Sequence, residues 1–560
     1  MAGTFCISGN SIENYRIIYS ASASPEEIAS AKALCDMIAR CTDKRLEVKD
    51  DTTNPTDHEI VIGTTNRDTT EVCEARAKIK NDGYAILARD NRLFITGTVA
   101  RGAIYGVYEI MEKFLGARFV ANDFTVTEQD KMADIPCDYE EIYSPWFLYR
   151  SDYWYGLADP CKQENINFNY AMRVNCGNID IKGVPDGINY AKKFVHTLSD
   201  LAEIPHEVGL QPCLTDEKTF LTVRKNVRNW LDENPDATII SVSQNDSYAE
   251  QLGCQCEKCK AIDDREGTPM GSLLTFVNRI ADDIKEDYPG VYVDTLAYRY
   301  TRKRPKTIVP RDNVIIRLCS IECCFCHPLD DGSCEKNVHF SQDIREWSEI
   351  CKTLFVWDYT TDFLSYMSLF PNLKVLRENV QFFKNHNVIG LFEQGNYESL
   401  SGEFGELRAY LLSKLLWNPD MTEKEYYYHM DEFLRLYYGN GWKYIRTYID
   451  KTVDKARERH LFIYDKANVI FPFENPEDAK KFDLEMLDLW NKAVESAQSD
   501  VLRNHCRYSR IQALYHAQYV LEDRWEELNK EMVDAMREFG ITKVIEGRKM
   551  PDLETYPDLR

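Results

Sequence analysis

The sequence predicts an α/β protein: a (β/α)8 TIM-like barrel preceded by a small α/β domain and followed by a helical domain. Strand-like and helix-like segments alternate between residues 144 and 419, which is the length of such a barrel. Several apolar runs there end in a carboxylate, as strands do at the open end of parallel folds. After residue 420 strand patterns become rare. A chain of 560 residues also exceeds what one hydrophobic core supports.

Residues 1–135 form the predicted N-terminal α/β domain. Short β-branched and aromatic runs predict its strands, and 3.6-residue periodicity predicts its helices. Ser24 is placed to cap the first helix, with Pro25 in its first turn, and Asn91 marks a tight turn between two strands. The predicted strands are 15–19, 59–63, 84–87 and 93–97, and the helices are 25–38 and 101–115.

Residues 144–419 form the predicted catalytic barrel, with helices between most of its strands. A doubly wound open sheet is the alternative, because it is built from the same alternation. The eight predicted strands are 147–150, 171–175, 195–198, 238–243, 291–298, 313–320, 353–359 and 388–392.

Residues 420–560 form the predicted helical domain. Amphipathic patterns predict its helices, and the segment after Gly540 is expected to be irregular. The predicted helices are 426–438, 442–457, 476–498 and 505–539.

Charge and composition argue against several kinds of partner and indicate the cellular compartment. A net charge of −23 and a pI near 5.0 disfavour nucleic acid and anionic membranes as partners. No stretch approaches the roughly 20 apolar residues of a membrane span. The N-terminus shows no basic segment followed by an apolar one, so we expect a cytoplasmic protein, or a secreted one if a leader has been removed. Many of the 18 cysteines lie in apolar surroundings, which fits a reducing compartment.

Three carboxylates at predicted strand ends are the catalytic candidates: Asp358, Glu393 and Asp246. Glycosidases use one carboxylic acid to protonate the leaving oxygen and a partner to stabilise the oxocarbenium-like centre. The alternative to a catalytic role for Asp246 is a structural one, in a turn or as a helix cap. For Asp358 and Glu393 it is a buried salt bridge to an arginine such as Arg317 or Arg173.

Polar and aromatic residues beside these acids are the substrate-binding candidates. Asn245 could orient a 2-acetamido group while Asp246 acts as the acid, whereas Trp357 and Tyr359 could stack on sugar rings. Ordinary core packing explains any one aromatic residue equally well. The remaining candidates are Tyr298, Asn396, Glu322 and His196.

The cysteines Cys254, Cys256 and Cys259 have spacings that suit one structural Zn²⁺ ion. A second group of cysteines lies between residues 319 and 334, together with His327. Small buried thiols that only pack a loop are the alternative. We expect no other cofactor, since Walker, Rossmann, HExxH and GxSxG motifs are all missing from the sequence.

The strings SVSQND (241–246), CQCEKC (254–259), RLCSIECC (317–324), WDY (357–359) and FEQGN (392–396) resemble the bacterial domain-of-unknown-function family 4838. That family overlaps glycoside hydrolase family 163, whose characterised activity is endo-β-N-acetylglucosaminidase action on complex N-glycans. Residues 102–109 resemble the α/β domain before the barrel of β-hexosaminidases and α-glucuronidases. The resemblance implies a glycosidase on a (β/α)8 barrel.

The resulting hypothesis is a glycoside hydrolase that cleaves a β-linked N-acetylglucosamine-containing oligosaccharide or glycan. An α-glucuronidase-like hydrolase is the alternative enzyme. A catalytically silent glycan-binding protein and a metal-binding protein are the alternatives from other classes.

Overall fold

The computed structural model describes residues 3–128, 131–158, 163–176, 187–247, 253–400 and 402–560. The chain divides into two compact units. The first contains the elements up to Leu148 and a helix at Gln163–Met172, and the second contains the segment from Tyr149 and all residues from Ile188 to Arg560.

The first unit is a mixed α/β structure, as predicted. A six-stranded sheet with the order β11-β6-β7-β5-β3-β4 is its centre. The pairs β11-β6 and β6-β7 are antiparallel, and the remaining three pairs are parallel. Its strands and helices are β1 (Thr4–Ile7), β2 (Asn10–Ser11), β3 (Arg16–Tyr19), α1 (Pro25–Thr42), β4 (Glu47–Asp50), β5 (Glu59–Ile62), α2 (Thr70–Lys78), β6 (Tyr84–Arg89), β7 (Arg92–Gly97), α3 (Ala100–Lys113), β8 (Ala117–Ala121), β9 (Phe124–Thr127), β10 (Met132–Ile135) and β11 (Glu140–Tyr143).

The local signals in this unit are confirmed. The Ser24 hydroxyl accepts a hydrogen bond from the Glu27 amide at 3.2 Å, and the Glu27 carboxylate accepts one from the Ser24 amide, which completes a capping box. Asp90 and Asn91 both adopt positive φ, at 48° and 61°. These angles give the tight hairpin turn that joins β6 to β7.

The second unit is built on a curled parallel sheet with the order β12-β17-β16-β15-β14-β13, which confirms the predicted fold class. The elements here are β12 (Tyr149–Tyr153), α4 (Tyr155–Ala158), α5 (Gln163–Met172, in the first unit), α6 (Leu198–Ala202), α7 (Glu217–Glu233), β13 (Ile239–Ser241), α8 (Glu257–Glu266), α9 (Met270–Ile284), β14 (Tyr292–Ala297), β15 (Val314–Cys319), α10 (Glu335–Ser348), β16 (Leu354–Tyr359), α11 (Leu376–Asn385), β17 (Val388–Gln394) and α12 (Gly405–Trp417).

Six of the eight predicted barrel strands are present, and the predictions for 171–175 and 195–198 are wrong. Residues 171 and 172 end helix α5, while 195–198 lead into helix α6. Isolated parallel bridges occupy the gap between β12 and β13 instead, pairing Cys176 with Ile188 and Tyr190 with Ile239. Both runs are short and apolar and show no clear periodicity, so their sequence pattern could not distinguish a strand from a helix.

The C-terminal part is helical, as predicted. Its helices are α13 (Glu423–Tyr438), α14 (Trp442–Ala456), α15 (Pro476–Ser496), α16 (Asp500–Ser509), α17 (Ile511–Val520) and α18 (Trp525–Phe539). The single helix predicted for 505–539 is wrong, because the chain breaks at Arg510 and again at Leu521, where ψ is 60°. Neither position has a Gly or Pro that would mark the end of a helix in the sequence. Every helix within the described ranges is too short or too polar to span a bilayer.

Candidate active site

A cavity of about 300 Å³ opens at the carboxyl ends of the parallel strands, where folds of this class place their active sites. Two carboxylates and many aromatic side chains surround it. Its lining residues are Tyr153, Val195, His196, Asp246, Leu296, Tyr298, Cys319, Ile321, Trp357, Tyr359, Phe363, Phe392, Gln394, Tyr397, Tyr464 and Glu546.

Asp246 is the first of the two carboxylates, and it is exposed to the cavity just beyond the end of β13. Its Oδ1 accepts hydrogen bonds from the Tyr298 hydroxyl at 3.2 Å and from the Ser247 amide at 2.8 Å. Tyr298 itself accepts a hydrogen bond from Arg299 Nε at 2.7 Å. This chain from guanidinium to phenol to carboxylate fixes the position of the Asp246 side chain at the cavity.

Glu546 is the second carboxylate, and it comes from the segment that follows α18. Its Oε1 accepts a hydrogen bond from Gln394 Nε2 at 3.0 Å, and Gln394 Oε1 accepts one from Trp357 Nε1 at 2.8 Å. Burial raises the pKa of Glu546, and the nearby Glu398 carboxylate raises it further. Hydrogen bonds from Tyr397 and Gln394 oppose that rise without cancelling it.

Aromatic rings form two walls of the cavity. Trp357 and Tyr359 are stacked with centroids 6.0 Å apart, and Tyr153 and Tyr397 are stacked with centroids 4.5 Å apart. His196 lies near the Tyr298 ring, and its Nδ1 contacts the Gln244 carbonyl oxygen at 2.8 Å. If Nδ1 is the protonated nitrogen in that contact, Nε2 is left as a hydrogen-bond acceptor for a sugar hydroxyl.

Asp358 and Glu393 do not line this cavity. On β16, Phe355 and Trp357 pack in a hydrophobic cluster on the inner face of the curled sheet. Because successive side chains of a strand point to opposite faces, Asp358 points to the outer face. On β17, Phe392 belongs to the same cluster, and Glu393 therefore also faces away. The two strands are in register, with Asp358 beside Glu393.

A third carboxyl, Asp152 of β12, joins them on that outer face, since it is in register with Glu393 on its other side. Its Oδ2 accepts a hydrogen bond from Ser413 Oγ of α12 at 2.8 Å, which places the cluster against the helix layer. Burial raises the pKa of Asp358 to about 6, opposed by hydrogen bonds from Ser320 and the Tyr359 amide.

Burial and the two neighbouring acids raise the pKa of Glu393 well above its ordinary value, and burial does the same for Asp152. Within the described part of the chain, neither carboxyl oxygen of Glu393 has a hydrogen-bond partner. Burial between the sheet and the helices therefore favours the neutral form of all three carboxyl groups.

Neither arginine proposed as a salt-bridge partner pairs with Asp358 or Glu393. Arg317 is fully buried and pairs with Asp294 at 2.9 Å inside the curled sheet. Arg173 pairs with Glu109 and Glu112 within the first unit.

Three other predicted substrate-binding residues are engaged elsewhere. Asn245 is buried; its Oδ1 accepts from the Ser199 amide at 2.8 Å and its Nδ2 donates to the Leu210 carbonyl at 2.6 Å. Asn396 is buried and accepts from two backbone amides of its own turn. Glu322 is paired with Arg302 and is not part of the cavity lining.

Sequence reasoning missed Glu546, Gln394 and Tyr464 as cavity residues. Glu546 and Tyr464 lie in irregular segments of the C-terminal part, far along the chain from every strand end. No local pattern in the sequence marks them, because only the fold brings these segments to the barrel mouth.

The three predicted metal ligands lie together and are joined by a fourth cysteine. Ligand atoms of Cys213, Cys254, Cys256 and Cys259 all lie within 4.8 Å of one another. Cys213 lies a few residues before α7 and far from the CxCxxC motif in the chain, so no spacing pattern predicts it as a ligand.

The resemblance found in the sequence is confirmed by comparison with family models. Residues 192–450 match the domain of unknown function DUF4838. Residues 10–110 match the glycosyl hydrolase family 67 N-terminus. The narrower likeness to glycoside hydrolase family 163 stays a prediction. Among curated proteins, none matches this sequence.

Solved structures with a similar fold are described as carbohydrate-active enzymes. A family GH115 4-O-methyl-α-glucuronidase with specificity for decorated arabinogalactans is 11% identical, with a TM-score of 0.57, over 96% of this chain and 80% of that one. The protein CpGH84D is 10% identical, with a TM-score of 0.48, over 97% and 94%. The chitobiase of Flavobacterium johnsoniae is 11% identical, with a TM-score of 0.44, over 95% and 94%. At these identities the first likeness establishes a shared fold, and the other two establish nothing further.

Proposed function

We propose that this protein is a glycoside hydrolase whose substrate is a glycan containing β-linked N-acetylglucosamine. The observation that carries the proposal is the cavity at the strand ends, which combines two carboxylates, Asp246 and Glu546, with stacked aromatic walls. Glycosidic bonds are cleaved by two carboxyl groups in different protonation states, and aromatic rings bind the apolar faces of sugars.

The surroundings of the two acids assign their roles. Glu546 is the proton donor to the leaving oxygen, because burial and the Glu398 carboxylate raise its pKa and so favour its protonated form. Asp246 is the carboxylate that stabilises the positive charge developing on the sugar, because it faces the cavity and is held there by hydrogen bonds from Tyr298 and the Ser247 amide.

The charge of the cavity favours a neutral sugar over a uronic acid. Among the described residues that line it, none is Lys or Arg, while two are acidic. A glucuronate carboxylate would meet like charge without a cationic partner, and such a contact is unfavourable in a partly buried site. The α-glucuronidase alternative therefore receives less support from the cavity than an N-acetylated or other neutral sugar does.

The hydrogen bonds that Asn245 makes within the protein affect the substrate-assisted mechanism, in which Asn245 was expected to orient the 2-acetamido group of the sugar. Both atoms of its side-chain amide are already hydrogen-bonded to backbone groups, so the amide is not free to orient an acetamido group. If the 2-acetamido group takes part, the residues positioned to contact it are those lining the cavity, such as Tyr298 and His196.

A substrate panel tests the proposal. The purified protein is incubated with 4-nitrophenyl β-N-acetylglucosaminide, β-glucoside and α-glucuronide, and with a set of released N-glycans. We expect cleavage of an N-acetylglucosamine-containing member and none of the α-glucuronide. Hydrolysis of the glucuronide alone would contradict the assigned sugar. Binding of glycans by calorimetry with no turnover would instead support the silent binding protein.

A further inference from the structure

Two cysteines and two histidines from separate stretches of the second unit converge on one point. Cys324 and His327 lie in the loop that follows β15, Cys334 immediately precedes α10, and His460 follows α14. One ligand atom from each lies within 4.8 Å of the other three. Both cysteines are buried.

The separations suit a tetrahedral Zn²⁺ ion. Cys324 Sγ is 3.2 Å from His327 Nδ1, and Cys334 Sγ is 3.6 Å from His460 Nδ1. Zn–S bonds of about 2.3 Å and Zn–N bonds of about 2.0 Å at tetrahedral angles place sulfur and nitrogen about 3.5 Å apart.

The surroundings orient these groups as metal ligands are usually oriented. His327 Nε2 contacts the Arg457 carbonyl oxygen at 3.0 Å, which fixes the proton on Nε2 and leaves Nδ1 for the metal. The Leu461 amide donates to Cys324 Sγ at 3.5 Å. The neighbouring Cys326 Sγ lies 3.5 Å from Cys324 Sγ and 3.6 Å from His327 Nδ1, but its thiol donates to the Arg459 carbonyl at 3.1 Å, and Cys326 is not one of the four residues whose ligand atoms all lie within 4.8 Å of one another.

We propose that Cys324, His327, Cys334 and His460 bind one structural Zn²⁺ ion that joins two walls of the cavity. Cys324 lies three positions after Ile321 and His460 four positions before Tyr464, and both Ile321 and Tyr464 line the cavity. The ion therefore holds the loop after β15 against the segment after α14. The metal site itself does not depend on the proposed reaction.

An independent set of four cysteines supports a second structural Zn²⁺ ion. Cys213 Sγ is 3.7 Å from Cys256 Sγ and 3.9 Å from Cys259 Sγ, and Cys254 completes the set. Tetrahedral Zn–S geometry requires about 3.8 Å between sulfurs. The Cys259 amide also donates to Cys256 Sγ at 3.4 Å, and Thr215 Oγ1 lies 3.2 Å from Cys259 Sγ. This site ties the start of α8 to the segment before α7.

Zinc content of the full-length reduced protein, purified without a metal column, tests both sites. We expect about two equivalents per chain. The variant carrying Cys324→Ser and Cys334→Ser should retain about one, as should the variant carrying Cys213→Ser and Cys256→Ser. Cys323→Ser removes a buried thiol from the same loop as Cys324 but outside both sets, and it should retain about two.

Cobalt substitution of the wild-type protein tests metal binding without depending on whether the double-serine variants fold. Wild-type protein reconstituted with Co²⁺ should show tetrahedral d–d bands and thiolate-to-cobalt charge transfer. His460→Cys should keep the metal and raise the charge-transfer intensity, because one imidazole becomes a thiolate. A reduced wild-type protein that contains no metal, and takes up neither Zn²⁺ nor Co²⁺, would overturn both sites. If the wild-type protein binds only one equivalent of metal, the site whose double-serine variant leaves that metal content unchanged is overturned.

Discussion

At the scale of single residues, opposite results are expected for substitutions of the two cavity carboxylates and of two of the three carboxyl groups on the outer face of the sheet. Glu546→Gln and Asp246→Asn remove the proposed acid and the proposed charge stabiliser, so each should lower kcat by about 10²-fold or more. Asp358→Asn and Glu393→Gln face away from the cavity and should retain most activity. The measurement is kcat and KM on the best substrate of the panel.

The same four variants decide between the two assignments. The sequence alone favoured Asp358 and Glu393 as the catalytic pair, and that assignment stays a prediction until the variants are assayed. Wild-type rates for Glu546→Gln, together with inactive but folded Asp358→Asn, would overturn the roles given to the cavity carboxylates. Circular dichroism of each variant separates loss of chemistry from loss of structure.

The pH dependence of turnover offers a separate test of Glu546. A general acid acts in its protonated form, so activity should be present at low pH and be lost as the pH rises through the raised pKa of Glu546. Glu546→Gln cannot titrate, and its residual activity should show no such alkaline decline. An unchanged decline in the Gln variant would assign that limb to another group.

Residue-level inference from the sequence succeeded where a rule of the fold fixed the location. Asp246, Trp357, Tyr359 and Tyr298 were expected near strand ends and line the cavity, while their roles stay predictions. His196 also lines it, although the strand predicted for 195–198 is not present. It could not decide which face a side chain takes, because strands buried on both sides show no polar alternation and a shift of one residue reverses the face. It also could not find Glu546 or Cys213, whose positions depend on contacts between segments that are distant in the chain.

At the scale of secondary-structure elements, the buried carboxyls shared by β12, β16 and β17 should make stability depend on pH. The folded state raises the pKa of Asp358 from 3.8 to about 6, so it favours the neutral form. The stability it contributes is present below pH 3.8 and is lost as the pH rises towards about 6. The loss corresponds to about 3 kcal/mol at most.

Asp358→Asn should therefore weaken the decrease in unfolding free energy between pH 4 and pH 7. Urea unfolding followed by tryptophan fluorescence at both pH values measures this difference. Asp236→Asn, at an exposed position before β13, serves as the matched control and should leave the difference unchanged. An Asp358→Asn protein with the wild-type pH dependence would show that folding does not raise the pKa of this carboxyl.

At the scale of the whole molecule, the parallel sheet and the C-terminal part build one site together. The sheet supplies Asp246 and the aromatic walls, while the segments after α14 and α18 supply Tyr464 and Glu546. The Tyr366 amide donates to the Val544 carbonyl at 2.8 Å, and the Gly547 amide donates to Glu398 Oε2 at 2.9 Å. These bonds hold the last segment, and with it the proposed acid Glu546, at the barrel mouth.

Truncation separates this contribution from the rest of the fold. A chain that stops after Gly540 keeps α18 and its left-handed cap, but it loses Glu546. Its turnover should fall by about 10²-fold or more, as for Glu546→Gln, while its helical circular dichroism signal remains. Because Ile541 and Val544 are buried, it should also unfold at a lower temperature, and turnover is measured below that transition. A chain that stops after Lys549 retains Glu546 and should keep wild-type turnover. Full turnover in the shorter chain would show that the reaction needs no acid from this segment, leaving Asp246 to donate the proton.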